Sequence, residues 1–193
     1  MRVAGIPFDE TVIPLTDIEG ENPQYMDISP AMRVPVLKDG ELAVWESLAI
    51  LEYLAERFPE ARLWPADRKA RAKARVVANE MHASFNALRG ACPMNMRREP
   101  APLDVSAAVL KDVARIEQMW TQCLAEFGGP YLFGPFSNAD AMYAPVVNRL
   151  AIYQLSDHPA VQTYTNAMTA LPAWEEWEEA GKAEPWVVPY DEV

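Results

Sequence analysis

The sequence SPAMRVPVLKDGELAVWESLAILEYLAERFPEARLWP occupies residues 29–65 and decides the fold. Its apolar run Val34 to Leu37 is typical of a short strand, and Asp39-Gly40 is typical of the two-residue loop of a hairpin. Leu42 to Trp45 supplies the returning strand. This part of the chain therefore predicts an antiparallel hairpin.

A helix is predicted directly after the hairpin. Its apolar side chains recur at helical spacing until Pro59 ends the run, and they are Leu48, Leu51, Leu54, Ala55 and Phe58. Glu46 and Ser47 stand at its start, where Ser47 can cap the helix and the first backbone N–H groups have no partner within it. Because these N–H groups attract negative charge, the helix N-terminus can hold an anion.

The order of these elements resembles the glutathione-binding half of the glutathione S-transferase family: Val-Pro-Val-Leu, an acidic-Gly turn, Glu-Ser opening a helix, and Tyr-Leu within it. The resemblance implies a cis peptide bond before Pro35, and a Val34 backbone that pairs with the cysteinyl part of glutathione. It also implies that Glu46 and Ser47 hold the γ-glutamyl end. Each feature alone occurs in ordinary edge strands and helix caps, so it is the ordered set that carries the resemblance.

The chemistry of the two polar residues suits those roles. The Glu46 carboxylate can accept hydrogen bonds from the α-ammonium group of glutathione. The Ser47 hydroxyl and N–H can donate to its α-carboxylate. The predicted binding residues are therefore Val34, Pro35, Glu46 and Ser47.

The resemblance implies an α/β plus all-α fold. A partial thioredoxin-like glutathione-binding domain, N-terminally incomplete, is expected over residues 1–65, and an all-helical glutathione-transferase C-terminal domain over residues 66–193. The boundary follows Trp64-Pro65, where long helical patterns begin. Asp67 can cap the first long helix. One apolar stripe contains Ala74, Val77, Met81, Phe85 and Leu88, and a later one contains Val109, Val113, Ile116, Trp120, Leu124 and Phe127.

Residues 137–140, Ser-Asn-Ala-Asp, resemble a folding motif of the family's helical domain. Ser137 is predicted to be an N-cap, with Asp140 reaching back to its backbone N–H. The role of Asp140 is then structural. Its replacement by Ala should cost on the order of 1 kcal/mol or more.

The first residues depart from the family pattern. Residues 2–4 predict the end of a helix stopped by Gly5, Thr11 to Pro14 predict a short strand, and a short helix is possible near 23–26. The family places its first strand and most of its first helix before this point, about twenty residues of typical element length. The loop after that strand carries the Ser, Tyr or Cys that activates the glutathione thiol, so the catalytic residue of this chain is unknown.

The resemblance implies that the pocket for the electrophilic second substrate borders the inner end of the first long helix and the loop that follows it. Met94 and Met96 suit an adaptable apolar wall, although Met is more often plain core, and Arg97 could attract an anionic substrate. Cys92 is either a substitute nucleophile or, more commonly, an inert buried thiol. His82 has no partner at metal-ligand spacing and is assigned neither metal binding nor catalysis.

The composition limits the partners. The net charge is −11, with 28 acidic and 17 basic side chains, so the chain should repel nucleic acid and anionic membrane. Two distant cysteines and two histidines argue against a disulfide framework or zinc site and favour a cytoplasmic location. No signal peptide or membrane-spanning run is predicted. A basic cluster forms either a solvated face, a dimer contact or a rim that attracts glutathione: Arg68, Lys69, Arg71, Lys73 and Arg75.

The resemblance therefore implies a homodimer that uses glutathione as co-substrate to conjugate or isomerise a small electrophile, and the cysteine and histidine usage favours the cytoplasm and no metal. The rival hypothesis is an inactive glutathione transferase-like module for binding or assembly, because the expected absence of a central strand would leave open sheet edges. A third possibility is that the start was placed at an internal Met of a longer chain.

Overall fold

The computed structural model describes residues 1–14, 28, 29, 31 and 33–193. Within these residues, a two-stranded antiparallel sheet precedes a series of α-helices. The strands are β1 (Val36–Asp39) and β2 (Leu42–Trp45). The helices are α1 (Ser47–Arg57), α2 (Arg68–Ala83), α3 (Asn86–Ala91), α4 (Ala107–Phe127), α5 (Asn138–Ile152), α6 (Pro159–Thr169) and α7 (Pro172–Ala183). None of the helices in the described part of the chain has the length and hydropathy needed to cross a membrane.

The hairpin forms as predicted, with two shifts in its boundaries. Asp39 pairs with Leu42, so the loop consists of Gly40 and Glu41, one residue later than expected. The reason is that Gly40 has φ 59, which suits the first loop position of a tight hairpin. The first strand begins at Val36, two residues later than expected, because a proline before it has no N–H to donate to a ladder.

The first residues form a single 3₁₀ turn over Arg2–Ala4, closed by Gly5 in the left-handed conformation (φ 65). This agrees with the predicted helix stop. The predicted strand at residues 11–14 is wrong, since none of the described strands pairs with that segment. The short helix proposed near residues 23–26 lies outside the described residues.

The first predicted stripe is buried, but the helix that carries it is broken in two. The Asp67 carboxylate caps α2 by accepting the N–H groups of Lys69 and Ala70 at 3.0 and 2.8 Å. The helix ends at Ala83, and Phe85 turns the chain with φ 59 before α3 begins. Phe85 is 4% exposed, so its burial in the core holds this unusual backbone.

The core lies among α2, α4, α5 and α6. Trp120 of α4 is fully buried at its centre, with its ring edge-on to Tyr143 at 5.6 Å and to Tyr164 at 4.6 Å between centroids. The predicted stripe of α4 is confirmed, and the helix ends at Gly128 with φ 81. Aromatic packing of this kind adds to the apolar burial that stabilises the helical domain.

Asp140 has the structural role that the sequence predicted. Its Oδ2 accepts the backbone N–H of Ser137 at 2.8 Å and the Ser137 hydroxyl at 3.0 Å. Its Oδ1 accepts the Leu132 N–H and the Tyr164 hydroxyl, both at 3.0 Å. The carboxyl group is fully buried, and burial raises its pKa against the opposing effect of these four hydrogen bonds. Asp140 thereby joins the loop before α5 to α6.

The hairpin unit is fixed to the helical domain through α1. Leu48, Leu51 and Ala55 pack against the main core. Asn138, at the start of α5, donates its side-chain amide to the Leu51 carbonyl at 3.1 Å. These contacts set the position of the first turn of α1 relative to the helices that follow.

Candidate functional site

The hairpin register brings the four predicted binding residues to one end of the sheet. Val36 lies opposite Trp45 in the last pair of the ladder. Val34 and Pro35 directly precede this pair in the first strand. Glu46 and Ser47 directly follow it after the second strand, so all four residues adjoin the same end of the hairpin. The Val34-Pro35 peptide bond is cis, as the resemblance implied, and Val34 is exposed.

Glu46 is the N-cap residue of α1 and has an unusual backbone. Its φ is 67 and its ψ is 121, a combination that L-residues rarely adopt. Such outliers cost on the order of 1–3 kcal/mol and are concentrated at functional sites. The helix begins at Ser47, and no side chain caps it, so the expectation that Ser47 caps this helix is wrong. The reason is that Ser47 already lies in the helix, one residue past the capping position.

The first turn of α1 presents backbone donors. The first hydrogen bond of the helix joins the Ile50 N–H to the Glu46 carbonyl at 3.0 Å. The N–H groups of Ser47, Leu48 and Ala49 precede this bond and point out of the helix end, where the helix dipole is positive. Ser47 is half-buried and Glu46 is exposed. An exposed carboxylate thus stands beside a set of N–H donors, an arrangement that can bind both charges of a zwitterion.

A hydrogen-bonded pair ties the far end of the hairpin to α1. The Tyr53 hydroxyl donates to Asp39 Oδ2 at 2.6 Å, and Arg57 lies 3.5 Å from the same oxygen. The hydrogen bond from Tyr53 lowers the pKa of Asp39, and it raises the pKa of Tyr53. This contact orients α1 against the sheet.

His82 lies beside the candidate site, a contact that the sequence analysis did not predict. Its Nε2 lies 3.8 Å from Oε2 of Glu46, and both side chains are partly exposed. The two residues are 36 positions apart and meet only because α1 packs on α2. No local sequence pattern signals this contact.

Neither cysteine is available as a nucleophile in this fold. Cys92 is fully buried, and burial raises the pKa of its thiol. Cys123 is also buried, and burial raises its pKa to about 11. A low thiolate fraction suits the inert-thiol interpretation of Cys92. Among the described residues, no three His, Cys, Asp or Glu side chains group together as metal ligands.

The residues predicted to line a second-substrate pocket lie between α3 and α4. Met94 is half-buried, whereas Met96 is 9% exposed and packs against Gly181 of α7. The Arg97 guanidinium donates to the carbonyl groups of Glu184 and Trp186 at 3.0 and 2.7 Å. The chain after α7 therefore accepts the hydrogen bonds of the Arg97 guanidinium. The pocket role of Met94, Met96 and Arg97 stays a prediction.

The basic cluster of α2 is largely paired within the chain. Arg71 donates to the carbonyls at positions 65 and 66, and Lys73 pairs with Glu126. Arg75 binds both oxygens of Glu52 at 2.8 Å, which joins α2 to α1. The Glu52 hydrogen bond raises the pKa of Arg75. These three side chains therefore stabilise the structure of a single protomer.

Comparison with protein families identifies two matching regions. The model of the glutathione S-transferase N-terminal domain matches residues 1–57, and the model of the C-terminal domain matches residues 103–180. These two regions contain the candidate site and the Ser137–Asp140 motif, respectively.

Curated relatives show the same likeness. Glutathione S-transferase T1 of Arabidopsis thaliana is 33% identical over 137 residues, covering 65% of this chain and 56% of that protein. Maleylacetoacetate isomerase of Rattus norvegicus is 28% identical over 195 residues, covering 91% of this chain and 82% of that protein. The chain spans about half the length of several of the curated relatives that it matches.

Solved structures confirm the fold class. A glutathione transferase homologue from Burkholderia gl BGR1, solved with bound glutathione, aligns with a TM-score of 0.70 at 23% identity, covering 95% of this chain and 88% of that one. The fold is therefore a thioredoxin-like N-terminal part followed by an all-helical C-terminal part, as the sequence predicted.

Proposed function

This chain belongs to the glutathione S-transferase family, and from that premise we propose that it binds glutathione as a co-substrate at the start of α1. The reaction we propose is attack of the glutathione sulfur on a small electrophile, leading either to a conjugate or to an isomerised product. The observation that carries the proposal is the convergence of the cis Val34-Pro35 bond, the Glu46 carboxylate and the first turn of α1 at one end of the hairpin.

The γ-glutamyl end of glutathione carries an ammonium and a carboxylate on one carbon. In the proposed complex, the ammonium group donates to Glu46, and the carboxylate accepts from the hydroxyl and N–H of Ser47. The dipole of α1 adds a favourable interaction with the carboxylate. The unusual φ of Glu46 supports this assignment, because the strain is retained at the residue that would contact the ligand.

The cysteinyl part would extend along the edge of β1, where the Val34 backbone can pair with it. The thiol of glutathione resembles that of Cys, with a pKa of about 8.5 on the reference scale. About 2 kcal/mol of thiolate stabilisation would therefore ionise about half of it at pH 7, and about 3 kcal/mol would ionise most of it. No described residue is assigned this role by motif, so the proposal concerns binding and orientation of the sulfur.

The finer features belong to the same proposal. We propose residues 1–65 and 66–193 as the two domains, a homodimer as the assembly and the cytoplasm as the location. Val76 of α2 supports the dimer, because this apolar side chain is 64% exposed on the helix that carries the basic cluster. Met94, Met96 and Arg97 remain the proposed wall for the electrophile.

Calorimetric titration of the 193-residue chain with glutathione tests the proposal. We expect binding near millimolar or tighter, and loss of at least about 100-fold in affinity when Glu46→Ala and Ser47→Ala are combined, since two or more charge-assisted hydrogen bonds are removed. Glu41→Ala is the matched control, because it removes an exposed carboxylate from the opposite end of the hairpin.

A folded wild-type chain that releases no heat with glutathione would overturn the proposal and leave the binding or assembly module as the better account. If binding is found, glutathione consumption separates the two reactions. Conjugation consumes one glutathione per product, whereas isomerisation returns it.

A further inference from the structure

We infer that His82 is a positioning residue of the glutathione site and that its protonated imidazole competes with the ligand's ammonium group for Glu46. The inference rests on the proposed function. It starts from one contact, the 3.8 Å between His82 Nε2 and Glu46 Oε2. The helical domain thereby reaches the binding residue of the N-terminal domain.

The position of the imidazole is set by the fold. His82 lies in the last turn of α2, and its carbonyl accepts a hydrogen bond from Arg89 Nη1 of α3 at 3.2 Å. The buried Phe85 fixes the turn between these helices. The bidentate contact of Arg75 with Glu52 holds α2 against α1 at 2.8 Å. The distance from His82 to Glu46 is therefore maintained by packing outside the site.

Among the described residues, Glu46 is the one carboxylate that lies within ion-pair distance of the His82 imidazole. From the start of α1 it faces Glu46, and from α3 it faces Arg89, whose guanidinium is directed at the backbone carbonyl. On α2 itself, Glu80 binds Arg115 of α4 through two hydrogen bonds at 2.6 and 2.9 Å. Glu80 therefore cannot substitute for Glu46.

The consequence is a pH-dependent affinity. Histidine changes charge within the physiological pH range. A neutral His82 leaves the Glu46 carboxylate to the ligand's ammonium group, whereas a protonated His82 pairs with Glu46 and repels a second cation. An exposed pair of this kind changes an equilibrium by about 1.5- to fivefold. Between pH 5.5 and pH 7.0 glutathione keeps the charges of its amino and carboxyl groups, so the difference arises on the protein.

Titration calorimetry with glutathione at pH 5.5 and pH 7.0 tests the inference. We expect the wild-type chain to bind about 1.5- to fivefold more weakly at pH 5.5. His82→Gln should bind equally at both values and match the wild type at pH 7.0. His158→Gln is the matched control, because it removes the only other histidine of the sequence, which caps α6. The His158→Gln variant should keep the wild-type ratio of the glutathione affinities at the two pH values.

Two results would overturn the inference while leaving the proposed function intact: a wild-type affinity that is the same at both pH values, or a His82→Gln variant that keeps the wild-type ratio. An equal loss at both pH values in His82→Gln would likewise overturn it, since that pattern indicates a purely structural role. Failure of the proposed function gives a different pattern, in which the wild type does not bind or the Glu46 and Ser47 double variant binds normally.

Discussion

Replacement of Asp140 by Ala should destabilise the helical domain far more than loss of an ordinary helix cap. The substitution removes the acceptor for the Leu132 N–H, the Ser137 N–H and the Tyr164 hydroxyl. All three donors lie in the buried region around α5 and α6. A buried donor left without a partner costs about 1–3 kcal/mol. Partial relaxation makes these costs less than additive, so we expect a loss of about 3–5 kcal/mol.

Urea unfolding at neutral pH, followed by far-ultraviolet circular dichroism, measures this loss. Asp140→Asn is the companion variant, because it keeps one acceptor oxygen but places an amide donor against the other two donors. Its free energy of unfolding should lie between those of the wild type and the Ala variant. If the Ala variant does not fold, the Asn variant supplies the measurement. An Ala variant within about 1 kcal/mol of the wild type, with an unchanged m-value, would refute the reasoning.

Three further predictions concern the backbone and a cap. Glu46→Gly should be more stable than Glu46→Ala by about 1 kcal/mol in thermal unfolding, because Gly accepts φ 67 without strain; equal stabilities would contradict this. Gly90→Ala should raise the unfolding free energy by about 0.5–1 kcal/mol, since its Cβ meets nothing within 4 Å. Gly181→Ala should not raise the unfolding free energy, because its Cβ would lie 3.0 Å from Met96 Cβ. A gain as large as that of Gly90→Ala would show that the Met96 side chain moves away without cost. Asp67→Ala should lower the urea midpoint at neutral pH. Hydrogen bonds from Ala70 and Lys69 lower the pKa of Asp67, so its stabilisation is present above the usual Asp range and is lost as pH falls through the lowered value; a midpoint difference that persists in acid would exclude this cause.

Local sequence was enough to predict most of the elements. The hairpin, α1, the stripes of α2 and α4, and the hydrogen bond from the Ser137 N–H to Asp140 all follow from short-range patterns. The hairpin loop shifted by one residue because the φ of Gly40, and not the Asp-Gly pair, sets its position. In each case the interactions that determine the element join residues close in sequence.

Features that depend on tertiary packing were missed. Residues 83–85, Ala-Ser-Phe, contain neither Gly nor Pro, yet the chain turns there because Phe85 is buried in a left-handed conformation. The Arg97 guanidinium donates to carbonyls 87 and 89 residues later, and no local pattern signals these two contacts. The approach of His82 to Glu46 likewise requires the packing of two helices. Pattern analysis has no access to such long-range contacts.

The most direct test of the central claim is a map of the backbone amides that respond to glutathione in a ¹⁵N-labelled sample of the chain. We predict that the largest chemical-shift changes fall on Val34, Ser47 and Leu48, with little change along α6 and α7. The Kd fitted to these changes should equal the Kd from calorimetry. Changes centred elsewhere in the protein, or no change at saturating glutathione, would contradict the claim that the first turn of α1 is the glutathione site.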